Sequence, residues 1–169
     1  RDRRLSTRAR GGRLLIVDSL EDKIAHPPEG TLRWALEHTG RRLIVFRVAG
    51  TIELIGKLHV REPFVTVAGQ TAPGGGITLK DFPLVIETHD VVLQGLRVRI
   101  GAEKLSNSDA LNVAGPGAYN VMIDHCSFSW STDEVVGVSD QAQNITFQSS
   151  IFAEGLNCSI HPEGCHSRG

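Results

Sequence analysis

Cysteine, tryptophan and tyrosine are scarce in this 169-residue sequence, which contains 3 Cys, 2 Trp and 1 Tyr. Three cysteines are too few for a disulfide-built scaffold, and their odd number leaves at least one without a partner in the chain. No run approaches the ~20 apolar residues that a membrane-spanning helix needs. A charge excess is lacking too, because 18 Lys and Arg face 19 Asp and Glu. This balance gives no reason to expect a nucleic-acid partner.

The sequence starts at Arg1 rather than Met, and no apolar stretch follows its basic start. A mature secreted chain has the same appearance, because its signal peptide has been removed. Six arginines lie within the first thirteen residues. We expect a solvated, frayed terminus there rather than a polyanion-binding arm. The sequence therefore predicts a basic segment over residues 1–13 and a folded domain over residues 14–169.

Helical signal is confined to one short stretch, although 40% of the residues are hydrophobic and can furnish a core. Leu32, Ala35 and Leu36 recur at helical spacing, and Thr31 is a suitable N-cap. The sequence predicts a single helix over Thr31–Glu37.

Beyond Leu43 the chain is a series of short β-branched runs separated by Gly, Pro, Asn and Asp. Similar segments begin at Val65, Val91, Val121 and Ile145, at steps of 26, 30 and 24 residues. A strand-only repeat of roughly 20–50 residues predicts coils that stack on one another, an all-β solenoid. The competing interpretation is a β-sandwich whose turn signals happen to align.

Stacked coils place equivalent side chains in ladders, because residues two apart on a strand share a face. Asp90, Asn120 and Asn144 are predicted to stack at a turn, since Asp and Asn tolerate the left-handed backbone conformation. The inward ladders are predicted to contain Val91, Val121 and Ile145 in one, and Leu93, Ile123 and Phe147 in the other.

Three segments resemble the pectate lyase family of polysaccharide lyases: Val65–Ile77, the most specific, Val121–Trp130 with its Ile-Asp-His core, and Gly30–Leu36. The resemblance implies a right-handed parallel β-helix whose N-terminal end is covered by the short helix. It further implies a secreted protein that acts on acidic plant polysaccharide, cleaving polygalacturonate by calcium-assisted β-elimination.

The resemblance also implies a calcium site formed by acidic residues on adjacent coils, which are Asp109, Asp133 and Glu134 here. Calcium prefers 6–8 oxygen ligands, mostly carboxylates and carbonyls. The sequence departs from the family pattern at Gly137, where a further acid is expected. The catalytic residue stays unassigned, because the arginine that the resemblance implies lies beyond Gly169.

Asp124 and His125 form the centre of the Ile-Asp-His segment, and the resemblance implies a structural role for both. Successive residues of a strand point to opposite faces. We therefore expect that the two side chains do not face one site together.

The tail combines Cys158, His161, Cys165 and His166, a composition that invites a zinc interpretation. The spacing matches no known zinc pattern such as C-x2-C with a distant H-x3-5-H. A loop with a Cys158–Cys165 bridge is the favoured alternative.

Two other functions stay open. A non-catalytic β-helix could bind polysaccharide or serve as a surface or assembly module, with a partner chain or further sequence covering its C-terminal end. A glycoside hydrolase needs two carboxyl groups ~5–9.5 Å apart. Asp133 and Glu134, as neighbours in an extended chain, are expected to point to opposite sides and not to supply that pair.

Overall fold

The computed structural model describes residues 8–9, 11–104, 107–157, 160–162 and 164–165. Short strands dominate it, with one helix, α1 (Leu32–Leu36), and a 3-10 turn at Gly69–Thr71. The strands are β1 (Arg8–Ala9), β2 (Gly12–Val17), β3 (Arg42–Phe46), β4 (Gly50–Glu53), β5 (Leu58–Val60), β6 (Val65–Ala68), β7 (Ile77–Lys80), β8 (Leu84–Ile86), β9 (Val91–Gln94), β10 (Leu96–Arg99), β11 (Leu111–Ala114), β12 (Tyr119–Asp124), β13 (Ser127–Ser129), β14 (Val136–Ser139), β15 (Gln143–Gln148) and β16 (Ile151–Phe152). Within these ranges no helix has the length and apolar character that crossing a membrane requires.

Three sheets form the sides of a solenoid. The first sheet has the order β1-β2-β3-β6-β9-β12-β15, the second β16-β13-β10-β7-β4, and the third β14-β11-β8-β5. Each coil gives one strand to each sheet in turn, as β9, β10 and β11 do, and strands of successive coils pair in parallel. Antiparallel pairing joins β1 to β2. The parallel β-helix prediction is confirmed, and a sandwich of antiparallel strands is excluded.

The predicted register of the repeat is also confirmed. Val65 pairs with Val91, Val91 with Val121, and Val121 with Ile145. Val91 and Val121 are buried, whereas Ile145 is partly buried and packs against the core. Ile145 lies on β15, which has no strand on its outer side among the described residues, so its ladder position is less covered than the others.

The turn ladder before these strands has the predicted left-handed backbone. Asp90, Asn120 and Asn144 have φ values of 54°, 52° and 53°. Phe64 occupies the same position in the preceding coil with φ 62°. An aromatic residue is uncommon in this conformation, so the stacking of coils, and not the local preference of residue 64, sets the turn there.

The helix begins and ends where the sequence indicates. Thr31 is the N-cap, and its Oγ1 accepts a hydrogen bond from the Trp34 amide at 3.3 Å. α1 packs against β2 and β5, the first strand of the third sheet, and buries Leu32, Ala35 and Leu36 there. Arg42 on β3 donates to the carbonyl of Leu36 at 2.9 Å and so satisfies one of the carbonyls left open at a helix end. The helix thus covers the first coils, as predicted.

The expectation for Asp124 and His125 is wrong. His125 Nδ1 lies 2.6 Å from Asp124 Oδ1, so the two side chains meet. β12 ends at Asp124, and His125 has a left-handed φ of 51° that reverses the direction of its side chain. The alternation of side-chain directions therefore ends at Asp124 and does not extend to His125.

The cysteines differ in state. Cys126 is buried with a free thiol, and burial raises its pKa. Cys165 is disulfide-bonded. Cys158 lies outside the described residues, as do His166 and Arg168, so the Cys158–Cys165 pairing stays a prediction.

Candidate functional site

A groove of about 410 Å³ runs over the outer face of the third sheet. One column of side chains crosses this face in register, from His59 on β5 through Val85 and Asn112 to Gly137 on β14. On β5, β8 and β11 the residues on either side of this column, such as Leu58, point inward and are buried, whereas on β14 Val138 is exposed. Period-two alternation along the strands therefore separates an apolar core from a polar floor.

An acidic cluster of Asp109, Asp133 and Glu134 closes one end of the groove. Each residue offers a carboxylate oxygen, and these oxygens lie within 4.8 Å of one another. Asp109 precedes β11, and the other two precede its neighbour β14. The amides of Thr132 and Asp133 donate to the carbonyl of Ser108 at 3.2 and 3.3 Å, which fixes the two approaching loops to each other.

The pKa of Asp109 reflects its burial and the crowding of carboxylates in the cluster. Burial, and then the neighbouring charge of Glu134, raise the pKa of Asp109 to about 6, against an opposing hydrogen bond from Asn112. That bond joins Asn112 Nδ2 to Asp109 Oδ2 at 3.0 Å. Carboxylates crowded in this way favour either a shared proton or a bound cation.

Gly137 occupies the position where the family resemblance implies a further acid. A Cβ atom on Gly137 would lie 2.4 Å from Asp109 Oδ2, so the Asp109 carboxylate fills the space that a side chain would need. Glu134 supplies the third carboxylate instead. Asn112 Oδ1 is buried and has no hydrogen-bond partner in the described part of the chain, which leaves a further oxygen beside the acids. This donor set fits a hard, oxygen-binding cation such as calcium.

Asp133 and Glu134 do not point to opposite sides as the sequence argument expected. The segment before β14 is bent rather than extended, and both carboxylates converge on Asp109. Three carboxylates that converge in this way form a cluster suited to a cation, rather than a pair that flanks a scissile bond. The hydrolase interpretation loses support for this different reason.

Sequence reasoning missed the basic half of the groove, which Lys57 and His59 line together with Glu87. Glu87 Oε2 lies 2.9 Å from both His59 Nδ1 and Arg61 Nε. Although burial acts in the other direction, these two hydrogen bonds lower the pKa of Glu87. The signal that could have found these residues is the polar–apolar alternation from Lys57 to Arg61.

His161 approaches the acidic cluster from the C-terminal tail. Its side chain is buried, and Nε2 lies 3.9 Å from Asp133 Oδ2. The tail histidine that the sequence associated with zinc is therefore a neighbour of the candidate calcium ligands.

Known proteins resemble this chain both in sequence and in fold. No protein-family model matches the chain. A probable pectate lyase C of Emericella nidulans is 40% identical over 148 residues, which cover 87% of this chain and 33% of that protein. A pectate lyase 2 of Ambrosia artemisiifolia is 31% identical over 153 residues, covering 82% of this chain and 38% of that protein.

The crystal structure of Jun a 1, the major allergen from cedar pollen, shares the fold with a TM-score of 0.72 at 23% identity. The match covers 82% of this chain and 44% of that one. The chain spans about a third of the length of the curated relatives it matches. Most of this chain is therefore similar in sequence to pectate lyases, and its parallel solenoid is the fold of Jun a 1.

Proposed function

We propose that the protein binds polygalacturonate in the groove of the third sheet and cleaves it by calcium-assisted β-elimination. The observation that carries this proposal is the convergence of Asp109, Asp133 and Glu134 in a groove that Lys57 and His59 also line. Three carboxylates offer up to six oxygens, and the open side of the groove leaves room for an oxygen of the substrate.

The elimination requires that the proton on C5 of a uronate become acidic enough to remove. When bound, calcium would neutralise the adjacent carboxylate and make that proton more acidic. A base then takes the C5 proton, the C4–O4 bond breaks, and its electrons leave with the oxygen as a C4–C5 double bond forms. The resemblance implies an arginine for this base, outside the 169 residues.

The residues of this chain have binding and orienting roles in the scheme. Asp109, Asp133 and Glu134 would hold the cation, with Asn112 Oδ1 available beside them. Lys57 and His59 line the same groove, where the ammonium group of Lys57 suits the carboxylates of neighbouring uronates along the polymer. We also propose that the protein acts outside the cell, because a plant cell-wall polymer is met there.

The proposal is tested with a longer chain that carries the implied arginine, by following the near-ultraviolet absorbance of unsaturated products from polygalacturonate, with calcium and with excess chelator. The expected result is product formation that requires calcium and is lost in Asp109→Asn. Binding of the polymer without product formation would favour the alternative, a non-catalytic polysaccharide-binding module. Product formation that persists in chelator would remove the acidic cluster from the mechanism.

A further inference from the structure

A second groove, of about 440 Å³, lies on the outer face of the second sheet. Arg97 and Arg99 line it from β10, and both point outward because they are two residues apart on one strand. Parallel pairing places Lys80 of β7 beside Arg99. Trp130, which follows β13, completes the wall. We call these four residues the arginine groove.

Neutral acceptors hold both guanidinium groups in place. Arg97 Nε donates to Thr78 Oγ1 at 2.9 Å, and a second nitrogen donates to the carbonyl of Gly75. Arg99 donates to the carbonyl and the hydroxyl of Ser127 at 2.8 and 2.7 Å. Neither arginine forms a direct ion pair with a carboxylate among the described residues, and Glu154 acts on Arg99 only as a more distant charge. Both groups are therefore positioned without a carboxylate bonded to them.

The contrast with Lys80 shows that this is specific to the arginines. Lys80 Nζ lies 3.5 Å from Asp81, 3.7 Å from Glu53 and 3.8 Å from Glu103, which compensate its charge. Burial, and after it the charge of Arg97, lower the pKa of Arg99. Two like charges held side by side in this way would be stabilised by an anion that contacts both.

Trp130 adds a surface for a sugar ring. Its side chain is 46% exposed, and its ring centroid lies 5.9 Å from the Arg99 guanidinium carbon. The indole Nε1 donates to Glu154 Oε2 at 2.9 Å, which fixes the orientation of the ring. An oriented aromatic face next to paired guanidinium groups combines apolar stacking with carboxylate recognition.

We propose that the arginine groove binds a uronate unit of an acidic saccharide without calcium, its carboxylate on Arg97 and Arg99 and its ring on Trp130. The site is separate from the acidic cluster, which lies at the third sheet. The proposal rests on the proposed function only for the choice of a uronate as the sugar acid. A second attachment point on the same polymer would raise its local concentration at the first.

The test is a titration with an unmethylated galacturonate oligosaccharide in excess chelator, followed by calorimetry and by tryptophan fluorescence. The expected result is saturable binding that weakens with added salt and changes the emission of Trp130. The double variant Arg97→Gln/Arg99→Gln is expected to bind about tenfold more weakly or worse, because charged hydrogen bonds are lost. Arg47→Gln, which changes an exposed arginine outside both grooves, should bind as the unmodified protein does, and a neutral galactose oligosaccharide should not bind.

Arg99 also anchors Ser127, so circular dichroism must show that the double variant folds. Trp130→Ala removes an exposed ring and gives the same test, with an expected loss of affinity of about fivefold. Absence of binding in chelator, unchanged affinity in a folded arginine variant, or equal binding of the neutral sugar would overturn the proposal. These outcomes are independent of the calcium-dependent product assay, so failure of one site leaves the other testable.

Discussion

Asp124 and Asp109 are both aspartates next to strand ends, but their surroundings are opposite. Gln94 Nε2 donates to Asp124 Oδ2 at 3.1 Å, Gln148 Nε2 donates to Oδ1 at 3.3 Å, and His125 lies 2.6 Å away. The hydrogen bond from Gln94 is the main cause that lowers the pKa of Asp124. Its neighbours on adjacent coils thus supply every partner that this carboxylate needs.

Asp109 has carboxylates where Asp124 has donors. Asn112 gives it one hydrogen bond, while burial, and then the like charges of Glu134 and Asp133, raise its pKa to about 6. A carboxylate surrounded by donors serves the fold, whereas carboxylates that surround one another reduce stability until a cation joins them. The groups around each carboxylate, donors at Asp124 and other acids at Asp109, thus distinguish a structural acid from a binding acid.

The largest expected difference concerns calcium affinity. Asp109→Asn removes one of three ligand charges at constant size, and we expect the affinity for calcium to fall by about 100-fold. Asp124→Asn is the matched control on the first sheet and should change the affinity less than about twofold, since it is not in the cluster. Calorimetric titration measures both. Retained affinity in Asp109→Asn would show that the cluster is not the calcium site.

Variants at the same two positions should change the stability of the calcium-free protein in opposite directions. Asp109→Asn relieves repulsion in the cluster and should raise the free energy of unfolding by about 1 kcal/mol. Asp124→Ala leaves the Gln94 and Gln148 amides without their acceptor and should lower it. Urea unfolding in chelator checks the signs. Destabilisation by Asp109→Asn would mean that its hydrogen bond with Asn112 outweighs the repulsion.

The fold could be predicted because each coil repeats the same residue types at the same positions. β-branched residues at Val91 and Val121 mark the inward ladder, and Asp90 and Asn120 mark the turn before it. Phe64 shows the limit, because nothing in its own chemistry favours the left-handed turn that the stacked coils impose on it.

The candidate site was only partly predictable. Asp109, Asp133 and Glu134 were all indicated by the family resemblance, but the convergence of the last two depends on a bend before β14 that no residue pattern revealed. Asn112 was missed because a lone polar residue in a strand looks like an ordinary solvent-facing position. Side-chain direction at strand ends depends on one or two backbone angles, and sequence alternation does not fix these angles.

Asp109 and Asp124 should also differ in how their contributions to stability depend on pH, and this effect is smaller than the changes in stability given above. The folded-state pKa of Asp109, about 6, is above its ordinary value of 3.8. The folded state therefore binds the proton more tightly than the unfolded state, and this group stabilises the fold as pH falls through 6, levelling off below 3.8. Asp124 has a lowered pKa, and its contribution is lost only below its ordinary range.

Melting temperatures in chelator between neutral and mildly acidic pH test this contrast. The increase on acidification should be reduced in Asp109→Asn and retained in Asp124→Asn. Calcium should reverse the trend, because protons compete with the cation for the same oxygens. An unchanged pH profile in Asp109→Asn would contradict the assignment of this titration to Asp109.

The smallest expected effect comes from Gly137, where the family resemblance implies an acid. In Gly137→Ala the new Cβ would lie 2.4 Å from Asp109 Oδ2, so the carboxylate must rotate away from the other two acids. The carboxylate is the end of a flexible side chain and can yield, and we expect calcium affinity to fall only about threefold. Gly75→Ala is the control, because a Cβ there meets nothing within 4 Å. Tighter calcium binding in Gly137→Ala would show that Asp109 is not in its binding position in this structure, and that the cluster closes around the cation only after Asp109 has moved.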